Sequence, residues 1–98
     1  MKAYEFIKDY VMNNDEIPES RKYHVFKAIK QGYINTAKND FEYLCYTING
    51  SSDLTGQCAI TREYAMELLN YNEEDMDTFL EILLAEHITE LQGGMIVL

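Results

Sequence analysis

Residues 60–98, ITREYAMELLNYNEEDMDTFLEILLAEHITELQGGMIVL, contain the pattern that decides the fold. Thr61 is a good N-cap for a helix, and Asn72 can cap a second helix after a tight connection at residues 70–72. The apolar positions at helical spacing are Tyr64, Ala65, Leu68 and Leu69 in the first helix and Met76, Phe79, Leu80, Leu83 and Leu84 in the second. Gly93-Gly94 separates two short extended runs, residues 88–92 and 95–98, which predicts a β-hairpin.

The chain before this stretch predicts three further helices and a short strand. Helical spacing of apolar residues indicates a first helix over about residues 2–13, and Pro18 is well placed to open a second. Gly32 is the expected C-cap of that second helix. A third helix is expected over about residues 36–49, with a break at residues 49–53 and a short strand at residues 58–60. The expected buried positions of the first three helices are Ala3, Phe6, Ile7, Tyr10, Val11, Val25, Phe26, Ile29, Phe41, Leu44, Cys45 and Ile48.

The order helix, short strand, helix, tight turn, helix and hairpin resembles a winged helix-turn-helix, specifically the C-terminal domain of the cyclic-AMP-receptor class of bacterial regulators. Thr61 with Arg62 opens the first helix of the motif, and Ala65 is the small residue where the two helices cross. Asn70 stands where the family usually has a glycine in the turn, and Asn tolerates a left-handed backbone. His87, followed by Ile88, stands where the family often has Gly followed by Ile or Leu.

The resemblance implies an α+β, mostly α fold with two extra N-terminal helices and a C-terminal β-hairpin wing. It implies one domain over residues 1–98, made of an N-terminal helical extension (1–35) and a winged helix-turn-helix core (36–98). The extension is too short for a cyclic-nucleotide domain and does not resemble one. Control by a nucleotide therefore does not carry over.

The expected recognition helix departs from the family. A DNA-reading member presents Ser, Arg, Gln or Lys near the start of this helix to bases and phosphates. The corresponding residues here are Asn72, Glu73, Glu74, Asp75, Asp77 and Thr78. Four carboxylates in a groove lined with phosphates are electrostatically unfavourable. We therefore do not expect this helix to read the major groove.

The charge is distributed unevenly along the chain. The net charge is −9, and residues 51–98 carry it all, with Arg62 as their one basic residue against ten acidic ones. This argues against non-specific nucleic-acid affinity of that half. Two other surfaces could bind DNA, the predicted hairpin and the basic second helix. Glycines in the hairpin let its backbone enter the minor groove, and basic side chains of the helix can contact phosphates. The predicted DNA-binding residues are Arg21, Lys22, Lys27, Lys30, Lys38 and Arg62, with Gln92, Gly93 and Gly94 of the wing.

Two functions from different classes follow. The first is a small DNA-binding protein of a plasmid or phage, acting as a transcriptional regulator or as an accessory factor in conjugation or replication. It would be a homodimer, bind DNA sequence-specifically and use the wing and the basic second helix. The second is an interaction module or DNA-mimicking inhibitor that presents Glu73, Glu74, Asp75 and Asp77 to a basic protein. An ordinary solvated surface is the remaining interpretation of the acidic residues. The Asn, Lys, Ile and Tyr bias fits an AT-rich Firmicute or its mobile elements.

No catalytic or cofactor motif is apparent in the sequence, so we expect neither an enzyme nor a bound cofactor or metal. His24 and His87 lack a second metal ligand at useful spacing, and residues 73–77 lack the glycine of a calcium loop. Cys45 and Cys58 are expected to be reduced thiols. No apolar run approaches the roughly 20 residues needed to span a bilayer, so a cytoplasmic protein is expected. Five tyrosines could support either a dimer interface or the core: Tyr4, Tyr10, Tyr23, Tyr33 and Tyr43.

Overall fold

The computed structural model describes residues 4–50 and 58–98. Within them the chain forms α1 (Glu5–Met12), α2 (Glu19–Asn49), β1 (Ala59–Ile60), α3 (Arg62–Leu69), α4 (Glu73–Ala85), β2 (Leu91–Gln92) and β3 (Met95–Val97). The described part is therefore α+β and mostly helical, with a small antiparallel sheet, as the sequence predicted. Residues 1–3 and 51–57, which include part of the predicted first helix and of the predicted break, lie outside the described residues.

The prediction of two helices separated at Gly32 is wrong, because α2 is one helix of 31 residues. Gly32 lies in its interior, and a Cβ built there would meet nothing within 4 Å. A helical glycine costs only about 1 kcal/mol relative to alanine, which tertiary packing readily offsets. The residue next to Gly32 takes part in such packing, because the Tyr33 ring meets the Phe6 ring edge-on at a centroid distance of 5.2 Å. The glycine that ends α2 is Gly50, with φ +74°.

One core joins the C-terminal half of α2 to α3, α4 and the sheet. Its centre has no exposed surface and includes Leu44 from α2, Ala65 from α3, Met76 from α4 and Ile96 from β3. The full buried cluster comprises Ile34, Ala37, Phe41, Leu44, Cys45, Ile60, Ala65, Met76, Phe79, Ile82, Leu83, Ile96 and Leu98. The long helix α2 therefore carries the core on its second half, while its first half holds α1 through the buried Ile7 and Val11.

Three expected core positions are wrong. Leu84 is 41% exposed, and Ile82 is buried in its place. Ile82 lies three residues after Phe79 on the inward side of α4, which widens the apolar stripe toward α2 rather than toward solvent. Tyr10 and Tyr64 are also exposed, at 61% and 43%. Tyrosine at a helix surface keeps its hydroxyl hydrated, so helical spacing alone overestimates its burial.

The sheet has the strand order β1-β3-β2, with both pairs antiparallel. Gly93 and Gly94 form the hairpin turn with φ +58° and +80°, the backbone that a two-residue turn of this kind requires. The hairpin prediction is confirmed. The strand β2 is shorter than the predicted run from residue 88, because the Ile88 N–H is bonded to the Leu83 carbonyl at 2.9 Å and belongs to the end of α4.

The predicted N-caps are confirmed. The Thr61 hydroxyl accepts from the Tyr64 N–H at 3.1 Å, and the Asn72 side chain accepts from the Asp75 N–H at 2.8 Å. Each satisfies one of the free N–H groups at a helix start. These caps fix where α3 and α4 begin.

Both helices end in the same hydrogen-bonded motif. The N–H of Tyr71 reaches the Met66 carbonyl at 3.0 Å, and that of Ile88 reaches the Leu83 carbonyl in the same way. The residue in between has a left-handed backbone in each case, Asn70 at φ 56° and His87 at φ 55°. This is the pattern that glycine usually occupies at a helix C-terminus. Asn and His adopt this left-handed backbone more often than most other non-glycine residues do.

Candidate functional site

The start of α4 is an acidic surface. Glu73, Glu74 and Asp75 form its first turn, and Asp77 follows on the same side as Glu73. All four side chains are exposed. The helix dipole stabilises negative charge at this end. The start of α4 is therefore a favourable position for these carboxylates.

Arg62, at the start of α3, binds one side of this surface. Its guanidinium nitrogens lie 2.6 Å from the Glu73 carboxylate and 2.8 Å from that of Asp77, and it also donates to the Glu73 carbonyl at 3.1 Å. The hydrogen bond to Glu73, followed by that to Asp77, raises the pKa of Arg62. Arg62, which the sequence predicts to contact DNA, binds two carboxylates and one carbonyl of α4 and so links α3 to α4. Glu74 and Asp75, in contrast, form no ion pair within the described part of the chain.

The other side of α4 borders a groove of about 560 Å³. Its lining residues come from α1, α2, the α3–α4 connection and α4: Phe6, Tyr33, Thr36, Ala37, Tyr71, Glu74, Asp75, Thr78, Phe79 and Ile82. Four aromatic rings and two carboxylates thus meet in one open depression. We call it the aromatic–acidic groove.

Paired rings form the aromatic part of the groove. Phe6 meets Tyr33 edge-on, and Tyr71 meets Phe79 at a centroid distance of 5.6 Å and an interplanar angle of 80°. Edge-to-face pairs of this kind are mutually stabilising and hold the rings in place. The Tyr71 hydroxyl donates to the Asp40 carboxylate on α2. Burial, and then the negative charges of Asp40 and Asp75, raise the pKa of Tyr71.

A second tyrosine ties α1 to the far end of α4. The Tyr4 hydroxyl donates to the Glu86 carboxylate at 2.7 Å. Burial, and then this bond, raise the pKa of Tyr4. Lys30 of α2 places its ammonium over the Tyr4 ring at 4.5 Å, a distance at which a cation is attracted to a ring face. The start of α1 is therefore docked onto the helix that carries the acidic surface.

The structure separates the predicted basic residues. Lys22 is 4% exposed, and its ammonium binds the Met12 carbonyl and the Glu19 carboxylate. Lys22 is therefore not on the surface expected to clamp phosphates. Lys30 is half-buried against Tyr4, and Lys27 lies 5.4 Å from the Tyr23 ring. The exposed members of the set are Arg21, Lys27 and Lys38.

The predicted wing residues lie together at the tip of the hairpin. Gln92, Gly93 and Gly94 are all exposed, and Cβ atoms built on the two glycines would meet nothing within 4 Å. The nearest charged residue along the chain is Glu90, which is also exposed. The hairpin tip therefore exposes backbone groups and one amide side chain.

The histidines and cysteines do not form a cluster. Cys45 is buried, Cys58 is half-buried, and both are unpaired thiols; burial, and then the charge of Glu42, raise the pKa of Cys45. Residues 4–50 and 58–98 contain no group of three or more His, Cys, Asp or Glu side chains that could hold a metal ion. Nor does any helix within these residues have the length and apolar character needed to cross a membrane.

Sequence reasoning identified the acidic surface but not the groove beside it. Phe6 was expected in the core, and Tyr33 in the core or at a dimer interface. The sequence predicts only a tight connection at Tyr71. Their meeting depends on the continuous helix α2, which brings Tyr33 of its middle turn beside both α1 and α4. No local pattern signals that contact.

Scans against protein-family models, curated proteins and solved structures find no significant match to this chain.

Proposed function

We propose that this chain is a winged helix-turn-helix protein of a bacterial mobile element that uses the acidic surface of α4 to bind a basic protein. The observation that carries the proposal is the pairing of Arg62 with Glu73 and Asp77. Arg62, the one basic residue of the second half of the chain, binds Glu73 and Asp77, whereas Glu74 and Asp75 form no ion pair within residues 4–50 and 58–98.

The winged-helix part of the proposal is supported by topology. The C-terminal half of α2, then β1, α3, α4 and the hairpin of β2 and β3, follow the order expected of that family. The two helices are joined by the tight left-handed turn at Asn70, and β3 lies between β1 and β2. In a DNA-reading member α4 would enter the major groove. The carboxylates at its start make a basic protein the better electrostatic partner.

An apolar side chain at the end of the acidic surface adds to this argument. Leu84 lies seven residues, or about two turns, after Asp77 on the outward side of α4, and is 41% exposed. Protein interfaces combine a desolvated apolar anchor with a charged rim. Leu84 therefore provides an apolar anchor on the same helix that carries the carboxylates.

Selection from a randomised peptide display library tests the proposal. The library is enriched on the wild-type protein and counter-selected on the variant Glu74→Lys/Asp75→Lys, which reverses two exposed charges of α4. We expect enriched peptides to be rich in Arg and Lys and to lose at least tenfold in affinity for the variant. Peptides without basic residues, or with equal affinity for both proteins, would contradict the proposal. The variant Glu63→Lys/Glu67→Lys, on the exposed surface of α3, is the matched charge control.

DNA binding by the wing and α2 is the second candidate. Its supporting observation is that the tip at Gly93 and Gly94 is exposed and that Lys27 and Lys38 lie eleven residues, about three turns, apart on one side of α2. Fluorescence anisotropy with DNA from the gene's own locus at low salt tests it. Lys27→Ala/Lys38→Ala should weaken binding more than Thr78→Ala, and each lost phosphate contact should reduce the log–log salt slope by about 0.9. Absence of affinity for such DNA rejects this candidate.

A homodimer belongs to the DNA-binding candidate, because a two-fold protein matches a palindromic site. Tyr10, Tyr23, Tyr33 and Tyr43 are all more than 40% exposed and can contribute to such an interface. Sedimentation velocity over a range of concentrations tests the dimer. A single species of monomer mass at high concentration rejects it.

A further inference from the structure

We infer that the aromatic–acidic groove receives an arginine side chain from the basic protein partner. This inference rests on the proposed function and names the contact that would give it specificity. It is carried by the meeting of four aromatic residues and two carboxylates, which form no ion pair in the part of the chain that the structure describes, in one depression of about 560 Å³.

The rings supply the first half of the recognition. A guanidinium is planar, delocalised and weakly hydrated, so it stacks on aromatic rings more readily than an ammonium does. The Phe6–Tyr33 pair and the Tyr71–Phe79 pair both line the groove. Their edge-to-face contacts fix the rings before a ligand arrives, which reduces the ordering cost of binding. A cation in the groove is attracted by the quadrupoles of the accessible rings, Phe6, Tyr33 and Tyr71.

The carboxylates supply the second half. Glu74 and Asp75 line the same groove as the rings, and neither forms an ion pair within the described residues. The nearby Glu73 and Asp77 are already bound to Arg62. The α4 surface is thus divided into a compensated side, facing Arg62, and an uncompensated side, facing the groove. A guanidinium has donors for both free carboxylates, and a phosphate would be repelled by them.

The groove continues in a way that fits a polypeptide. Beyond Phe6 and Tyr33 a second depression of about 300 Å³ lies between α1 and α2 and is lined further by Ile7, Tyr10 and Ile29. This second depression is apolar and shares the Phe6–Tyr33 wall with the first. A protein segment that places arginine against Glu74 and Asp75 can therefore place an apolar side chain in the neighbouring depression. That combination favours a protein over a free small cation.

Titration followed by ¹⁵N–¹H NMR tests the arginine contact directly. The probe is N-acetyl-L-arginine amide, and the comparison is N-acetyl-L-citrulline amide, which has nearly the same shape without the charge. We expect saturable shifts of the Thr78 and Phe79 amides with arginine at millimolar concentration and at least fivefold weaker binding of citrulline. Equal responses to the two probes, or shifts confined to α3, would overturn the inference.

Two variants separate charge from shape. Glu74→Gln/Asp75→Asn should weaken the affinity for arginine at least fivefold. Glu63→Gln/Glu67→Gln removes two charges from α3 and should keep that affinity within twofold of the wild-type value. Thr36→Phe fills the groove from an exposed position of α2 and should abolish binding without changing the charge. Circular dichroism and thermal unfolding check that each variant is folded. Unchanged arginine binding in folded Thr36→Phe would overturn the inference.

The same variants distinguish this inference from the proposed function. If basic peptides from the display selection bind Thr36→Phe as tightly as the wild type, the acidic surface binds basic partners but the groove does not take the arginine. If the selection yields no basic peptides and arginine still shifts Thr78 and Phe79, the groove binds the cation and the proposed function fails.

Discussion

The ammonium nitrogen of Lys22 lies 2.8 Å from the carbonyl oxygen of Met12, so a cation of α2 caps the C-terminal end of α1. α1 has no basic residue of its own in its last turn, where the helix dipole favours positive charge and carbonyls lack partners. Lys22 provides both the positive charge and a donor for the carbonyl, and it does so from a buried position. Its ammonium nitrogen also lies 3.0 Å from the Glu19 carboxylate. This contact adds to the burial of Ile7 and Val11 in docking α1, which carries the Phe6 wall of the groove.

Replacing Lys22 with alanine should therefore destabilise the protein rather than simply remove surface charge. We expect the free energy of unfolding to fall by about 1–3 kcal/mol, as for a buried acceptor that loses its charged donor. Urea denaturation followed by circular dichroism measures it. Arg21→Ala, one residue away and exposed, is the control and should change stability by less than about 0.5 kcal/mol. Equal effects of the two substitutions would contradict the structural role of Lys22.

Gly32→Ala should stabilise the protein by up to about 1 kcal/mol, because Gly32 lies inside a helix and alanine is the better helix former. The added methyl group meets nothing within 4 Å. Thermal unfolding measures the gain. Gly94→Ala provides the opposite case, since φ +80° is strained for alanine, and it should lower the melting temperature. A destabilising Gly32→Ala would indicate a helix break that α2 does not have.

His87→Gly should also stabilise the protein. His87 has a left-handed backbone at the end of α4, which is strained for a side chain but not for glycine. Relief of this strain should raise the free energy of unfolding by up to about 1 kcal/mol. The gain is partly offset because glycine has the greater chain entropy in the unfolded state. Denaturant titration measures the change. His24→Gly is the matched control, because His24 lies within α2 and the same substitution there should cost about 0.5 kcal/mol. Destabilisation of similar size at both positions would contradict the assignment of the α4 cap.

Arg62 and Asp77 should be energetically coupled. A double-mutant cycle with Arg62→Ala and Asp77→Ala should give a coupling free energy of about 0.5–1 kcal/mol. The value is modest because solvent screens the pair: the Arg62 side chain is 26% exposed and that of Asp77 is 59% exposed. The coupling should shrink when sodium chloride is raised, since exposed pairs are screened. A parallel cycle with Arg21→Ala and Asp77→Ala, which share no contact in the described residues, should give none. Coupling of equal size in both cycles would reject the α3–α4 link.

Tyr4 and Tyr71 should make the fold sensitive to alkaline pH. Their pKa values are raised in the folded state by burial and by hydrogen bonds to carboxylates, so folding favours the neutral hydroxyls. This contribution is fully present below the unfolded pKa of about 10 and is lost as pH rises above it. We expect the free energy of unfolding to fall more steeply above pH 10 in the wild type than in Tyr4→Phe/Tyr71→Phe.

The matched comparison for the alkaline experiment is Tyr10→Phe/Tyr23→Phe, which changes two tyrosines at exposed positions. Urea denaturation at intervals between pH 8 and pH 11 yields the slope for each protein. The same slope in both double variants would show that Tyr4 and Tyr71 do not titrate with folding.

The sequence by itself determined the features that rest on contacts between near neighbours in the chain. The Thr61 and Asn72 caps, the left-handed turn at Asn70 and the Gly93-Gly94 hairpin each use residues within a few positions of one another. Propensity and spacing are sufficient for such contacts. The acidic composition of α4 was visible in the same way.

Only the tertiary structure decided how the charges and rings are used. Tyr4 meets Glu86 across 82 residues, Tyr71 meets Asp40 across 31, and Arg62 meets Glu73 across 11. The continuity of α2 through Gly32 depends on packing that outweighs a local propensity of about 1 kcal/mol. Side-chain partners chosen at such separations are set by the shape of the whole core, so the burial of Lys22, the pairing of Arg62 and the aromatic–acidic groove had no local signal to reveal them.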